Sequence, residues 1–169
     1  MATKWLLDPT HSEITFKVTH MMISNVKGEF RNFNAEIDSD GDTFQNAKTT
    51  AYINTDSIYT NNEDRDNHLK SADFFNAESN PQITFESSSL QDDVTGNLTI
   101  NGITKPVKLE VEFGGINKDP WGNTKAGFSF TGKINRKDFG LNWNAALETG
   151  GVMVSDEVKI AGELQFVKQ

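Results

Sequence analysis

Cysteine is absent from the 169 residues. That excludes a disulfide scaffold, a cysteine-ligated zinc site and a thiol nucleophile. It leaves the compartment open, because a chain of this length buries about 70% of its unfolded surface without covalent staples. Histidine is scarce, with only His11, His20 and His68. Long apolar runs are missing, so no helix of about 20 apolar residues spans a membrane. The opening Met1 to Pro9 holds no apolar signal-peptide core. The chain as written reads as cytoplasmic, or as periplasmic if a leader was removed. Positive charge is short: 16 Lys and Arg face 24 Asp and Glu, a net charge of −8. Such a chain repels a phosphate backbone, so no nucleic-acid partner is expected. The nucleophile elbow GxSxG and the phosphate loops GxxxxGK[ST] and GxGxxG are also missing. No catalytic residue is read, and the chain is expected not to be an enzyme.

What is present is alternation with period two. Ile14, Phe16 and Val18 share one face, as do Val107, Leu109, Val111 and Phe113. Ala126, Phe128, Phe130 and Ile134 repeat the pattern, and Val158, Ile160, Leu164 and Phe166 repeat it again. The spacing predicts eight strands at 12–19, 26–38, 44–54, 81–90, 92–101, 105–117, 122–136 and 153–167. A change of phase near Arg31-Asn32 predicts a bulge. Ser39-Asp40-Gly41-Asp42 and Asp119-Pro120-Trp121-Gly122 are turn chemistry. The first of these resembles part of a calcium loop, but Gly41 and Thr49 stand at the wrong places, so a hairpin turn is expected. The fold class is all-β, one domain over 1–169. Gly28, Gly96, Gly132 and Gly162 all fall in the inward phase of their strands. They favour a closed barrel over a sandwich, because inward glycines permit sharp bending, and they are expected to leave interior space. An eight-stranded barrel is filled by side chains or holds one small ligand.

Residues 55–80 break the alternation. Acids early and Lys70 late suit a helix dipole and predict a short helix near 62–70. Further helical turns are expected at His20 to Ile23 and at Arg136 to Leu141. Arg65, His68 and Leu69 fall on one side of the predicted helix. They read either as a polar clasp at a barrel mouth or as a surface arginine paired with Asp64, Asp66 or Asp73. The three histidines have no metalloprotease spacing, although three could ligate a metal with a fourth position open. A metal-dependent enzyme on a small amphiphile, using His11, His20 and His68, therefore stays open beside a binding barrel. A filled, ligand-free barrel stays open too, because inward phenylalanines make either a core or a lining.

Several segments, in order along nearly the whole chain, resemble the YceI-like family of bacterial lipid-binding proteins. They are Trp5 to Phe16, Val18 to Phe30, Arg65 to Phe75, Pro81 to Phe85, Gly96 to Val107 and Ile134 to Gly140. The resemblance implies a lipocalin-like barrel with an elongated apolar interior and a short helix. It implies non-enzymatic binding, transport or storage of a long isoprenoid, such as a polyprenyl phosphate or an isoprenoid quinone. No cofactor is implied beyond that lipid, and a homodimer would be unsurprising. On this basis the tail is expected against Phe16, Val18, Met22, Phe30, Leu69, Phe74, Phe85, Leu98, Phe113, Phe128, Phe130 and Phe166. The headgroup is expected at Arg65, His68 and His20.

Overall fold

The computed structural model describes residues 2–21, 23–90, 92–142 and 154–169. Met22 lies outside the described residues. The strands are β1 (Ala2–Leu7), β2 (Glu13–His20), β3 (Ser24–Phe30), β4 (Phe33–Asp40), β5 (Thr43–Asn54), β6 (Ile58–Tyr59), β7 (Gln82–Ser87), β8 (Asp93–Ile100), β9 (Ile103–Lys118), β10 (Thr124–Asn135) and β11 (Glu157–Lys168). All pairings among them are antiparallel.

The sheet closes because β11 changes partner along its length. Its first half pairs with β2, Ile160 opposite Phe16, and its last residues pair with β1, Phe166 opposite Leu7. The strands β1 and β2 are therefore one barrel position, interrupted by a 3₁₀ turn at Pro9–His11. The strands β3 and β4 are likewise one position, bent at Arg31-Asn32. Counted this way, the barrel has eight positions in the order β1/β2, β3/β4, β5, β7, β8, β9, β10, β11. This is the all-β, eight-stranded antiparallel barrel that the alternation predicts. The strand β1 is an addition to the predicted set.

The interruption at Pro9–His11 is held by Asp8. Its carboxylate accepts from the Thr10 backbone N at 3.1 Å, the Thr10 hydroxyl at 2.7 Å, His11 Nδ1 at 2.8 Å and Lys125 Nζ at 3.0 Å. Chiefly through the Thr10 hydroxyl, these bonds hold the Asp8 carboxyl well below the usual carboxylate range, against the opposing effect of burial. A carboxyl whose folded pKa is depressed stabilises the fold above its unfolded value of about 3.9 and stops doing so as pH falls through the folded value. Asp8→Asn is accordingly expected to lose about 1–3 kcal/mol at neutral pH. Its deficit against the parent, read from chemical denaturation, should shrink steadily below about pH 4.

One end of the barrel carries the β2–β3 hairpin tip, the helix α1 (Glu63–Lys70) and a 3₁₀ turn at Arg136–Phe139. The helix begins where the charge pattern places it, with Asn62 accepting from the Arg65 backbone N at 3.0 Å. The expected turn at 136–141 is the 3₁₀ turn, closed by Gly140 at φ 73°. The helical turn expected at His20 to Ile23 does not form. His20 pairs with Ser24, which leaves too few residues between them for anything but a tight hairpin, with Met21 at φ 51°. At the same end Asn101-Gly102 joins β8 to β9, with φ of 56° and 75°. Both values are positive, as a two-residue type I′ hairpin requires.

The opposite end is plugged. Trp5, fully buried, packs on Phe44, and Phe44 packs edge-on to Phe128, which meets Phe166 edge-on at 6.0 Å. Trp5 Nε1 donates to Ser39 Oγ at 2.8 Å, which fixes β1 to the end of β4. The turn at Ser39 to Asp42 is the hairpin expected there.

Candidate ligand-binding site

The interior is hollow above that plug. A cavity of about 580 Å³ runs from Ile37, Phe128 and Phe166 up to α1. It lies within the roughly 300–1,000 Å³ of small-molecule sites, and its wall is almost wholly apolar. Phe16 and Val18 come from β2, Phe30 from β3, Phe85 from β7, Leu98 from β8, and Phe128 and Phe130 from β10. Leu69, Phe74 and Phe75 close over it from α1 and the segment that follows. Of the residues expected to line the interior, ten of the eleven described ones face this cavity.

Phe113 is the exception. The pairing of β9 and β10 shifts between Gly127 and Phe128, so Gly127 opposes Gly115 while Phe128 opposes Phe113. Phe113, just before that bulge and in phase with Val111 and Leu109, sits at the plugged end, 48% exposed, stacked on Phe128 at 5.1 Å and tilted on Phe44. It lies outside the cavity.

The four inward glycines also act differently from expectation. They do not leave empty space of their own. A Cβ on Gly28 would lie 2.2 Å from the Phe16 ring, one on Gly96 2.3 Å from Phe85, and one on Gly162 2.2 Å from Phe130. At Gly132 the Leu109 side chain lies 2.7 Å away. Phe16 and Phe130 stand directly opposite their glycines. At three of the four, the missing side chain lets a neighbouring ring lie over the strand, and at Gly132 it makes room for Leu109. The rings cover the wall instead of crossing the lumen, and that keeps the centre open.

The polar residues near α1 gather at one end: His20, Asn62, Asp64, Arg65, His68 and Arg136. The three headgroup candidates thus stand at one end of the cavity. Arg65 is neither a free clasp nor a partner of the nearby acids. Its Nε donates to Thr60 Oγ1 at 2.8 Å and one Nη2 hydrogen to the Thr60 carbonyl, using two of five donors. Asp66 accepts from the Thr60 backbone N at 2.8 Å, so the pair moors the helix to the chain before it. His68 Nε2 meets Asp73 Oδ2 at 2.9 Å, and its ring stands edge-on to Phe74. Arg136 was not singled out from the sequence as a site residue. It is 3% exposed, lines the cavity, and donates to the carbonyls of Ser155 and Leu141 at 2.9 and 2.5 Å, and of Val154 at 3.3 Å. Burial pushes its pKa down, partly offset by Asp156. Its sequence signals were its rarity, as one of three arginines in the chain, and its place in the family-like segment Ile134 to Gly140.

The histidines do not gather into a metal centre. His11 pairs with Asp8 on the outer wall, away from His20 and His68. Among the described residues no group of three or more metal-capable side chains converges.

Residues 5–166 match the YceI-like domain. The chain belongs to the YceI-like family. It is 45% identical to a UPF0312 protein of Staphylococcus epidermidis over 97% of both chains, and 45% identical to one of Staphylococcus aureus over the same shares. The Campylobacter jejuni YceI protein superposes with a TM-score of 0.76 at 35% identity, covering 89% of this chain and 90% of that one. Burkholderia cenocepacia BcnA superposes with a TM-score of 0.80 at 24% identity, covering 94% and 98%. A polyisoprenoid-binding domain of Saccharophagus degradans gives 0.74 at 16% identity, covering 98% of both. These last two likenesses establish the shared barrel. In this YceI-like chain the barrel is hollow, plugged by aromatics at one end and polar at the other.

Proposed function

We propose that this YceI-like protein binds a long-chain isoprenoid lipid, tail in the cavity and head at the polar end. The observation that carries the reading is the shape of the cavity: one apolar lumen whose charged side chains stand at a single end. That is the polarity of an amphiphile with one headgroup. The Saccharophagus degradans neighbour, a polyisoprenoid-binding domain by description, supports the same choice of ligand.

The energetics favour a long tail. Burying one isoprene unit yields up to about 4 kcal/mol at about 0.8 kcal/mol per CH₂. Association costs about 4–15 kcal/mol in lost freedom. One or two units barely offset that cost, and several exceed it. The head then meets Arg65, His68 and His20, with buried Arg136 adding positive potential from below. A polyprenyl phosphate suits the two arginines, and a quinone suits the hydrogen-bond donors of the same end. The protein acts by binding, carrying or storing this lipid.

A titration series tests the tail. Geranyl, farnesyl and long bacterial polyprenyl phosphates are compared by calorimetry in dilute detergent. Affinity is expected to climb steeply with each unit until the lumen is full, then level off. An affinity indifferent to tail length would overturn the reading.

A further inference from the structure

On the outer wall, lysines line up across four adjacent strands. Lys133 stands directly opposite Lys159, Lys159 opposite Lys17, and Lys17 opposite Lys27. Lys108, which reaches Asp93 at 3.8 Å, joins them along one shallow groove on the same wall, whose lining also holds Glu29 and Glu110. Like charges opposed across a sheet destabilise it. Among the described residues Lys17, Lys27 and Lys159 have no ion-pair partner, while Lys133 reaches Glu157 only at 3.9 Å, both exposed. The chain as a whole carries −8. A self-repelling basic stripe on an acidic protein is complementary to an extended negative surface.

The stripe lies beside the polar end of the barrel. Val18 and Val26, one residue beyond Lys17 and one before Lys27, line the cavity. Three rungs farther along the same hairpin is its tip, where Ile23 is 83% exposed and Met21 is 41% exposed. At about 3.3 Å per residue the lysine backbones stand about 13 Å behind Met21 and Ile23, a gap their long side chains partly span. Interfacial segments bury their apolar parts about 5–10 Å into the headgroup and acyl boundary. A tip seated at that depth leaves the lysines level with lipid phosphates.

We propose that the β2–β3 hairpin and the lysine row dock this protein, polar end down, on a bilayer rich in anionic phospholipid. The proposal rests on the lipid-binding reading for its purpose, because docking this way aims the cavity mouth at the source of its ligand. The exposed tip distinguishes a membrane from a nucleic acid, which offers no apolar phase for Ile23. The plugged end offers a rival apolar group in Trp121, 83% exposed. Its neighbour Asp119, whose carboxylate accepts from the Trp121 backbone N at 2.9 Å, would repel an anionic leaflet.

The test is sedimentation of the full chain with sucrose-loaded vesicles. Vesicles of equal phosphatidylglycerol and phosphatidylcholine are compared with phosphatidylcholine alone. Binding is expected to the first and not the second, and to fade with added salt. Each lysine near an anionic leaflet contributes about a fivefold factor. The triple variant Lys17→Gln, Lys27→Gln, Lys159→Gln should therefore partition roughly 100-fold more weakly. Ile23→Asp should also weaken binding, and Trp121→Asp should leave it unchanged. Circular dichroism and melting of each variant confirm the fold. Equal binding to both vesicles, an unaffected triple variant, or loss confined to Trp121→Asp would overturn the proposal. So would duplex DNA binding to the lysine row without vesicle binding. Polyprenyl phosphate titration in detergent is run in parallel, and the triple variant should keep full affinity there. Vesicle binding without polyprenyl binding would retain the docking surface and remove the ligand reading, and the reverse result would do the opposite.

Discussion

Ala51→Trp is expected to abolish long-tail binding while leaving the barrel folded. Ala51 lines the cavity from β5, and its direct neighbours across the sheet are Ala35 on one side and Phe85 on the other. Two alanines side by side make this the place where the wall stands farthest back. An indole there projects into the lumen, where there is room for it. It displaces at least one isoprene unit, a loss of up to about 4 kcal/mol, or roughly 1,000-fold in affinity. Packing inside an existing void strains the fold little, so the melting temperature should hold within a few degrees. Tyr52→Trp, on the outer face and 43% exposed, is the control and should bind as the parent does. Parent-like affinity in Ala51→Trp would show that the tail lies elsewhere.

Trp5→Ala is expected to open the plugged end and cost the largest share of stability of any single change. Trp5 is fully buried against Phe44 and supplies the hydrogen bond to Ser39. It also sits on β1, the strand that closes the barrel by pairing β4 on one side and β11 on the other. Large-to-small truncation of a buried tryptophan costs about 3–5 kcal/mol. In a chain of this size that lowers the melting temperature by roughly 6–20 °C. Trp5→Phe separates the contributions. It keeps most of the packing and loses one hydrogen bond, worth about 1 kcal/mol, because Ser39 still donates to the Gly41 carbonyl. A Trp5→Ala melting point within a degree or two of the parent would show that closure does not depend on this residue.

Much of this architecture was legible as alternation. A strand with one buried face must repeat every two residues, so β2, β9, β10 and β11 declare themselves through Phe16, Leu109, Phe128 and Phe166. The helix was legible through the order of its charges, and its cap at Asn62 emerged only in the structure. The strand β1 was not, because Lys4-Trp5-Leu6-Leu7 offers two inward positions and an apolar residue, Leu6, on the outer face. Phe113 has the inward phase that its alternation gives, but it stands at the height of the plug, on Phe128 and Phe44, and a strand's own sequence does not say which level of the barrel is filled. The glycines were seen, but what covers them is set by cross-strand register, which one strand's sequence does not contain. At the polar end the residue types were legible and their bonds were not. Arg65 faces Thr60, five residues back, and Arg136 serves backbone carbonyls, which leave no mark in a sequence.

The central claim is that the lumen holds an isoprenoid tail. Native mass spectrometry of freshly purified protein, before and after incubation with excess long-chain polyprenyl phosphate, tests it most directly. The predicted result is one lipid per chain, already partly present on purification or gained on incubation, with organic extraction returning a polyisoprenoid. A bare chain mass that persists through the incubation would contradict it.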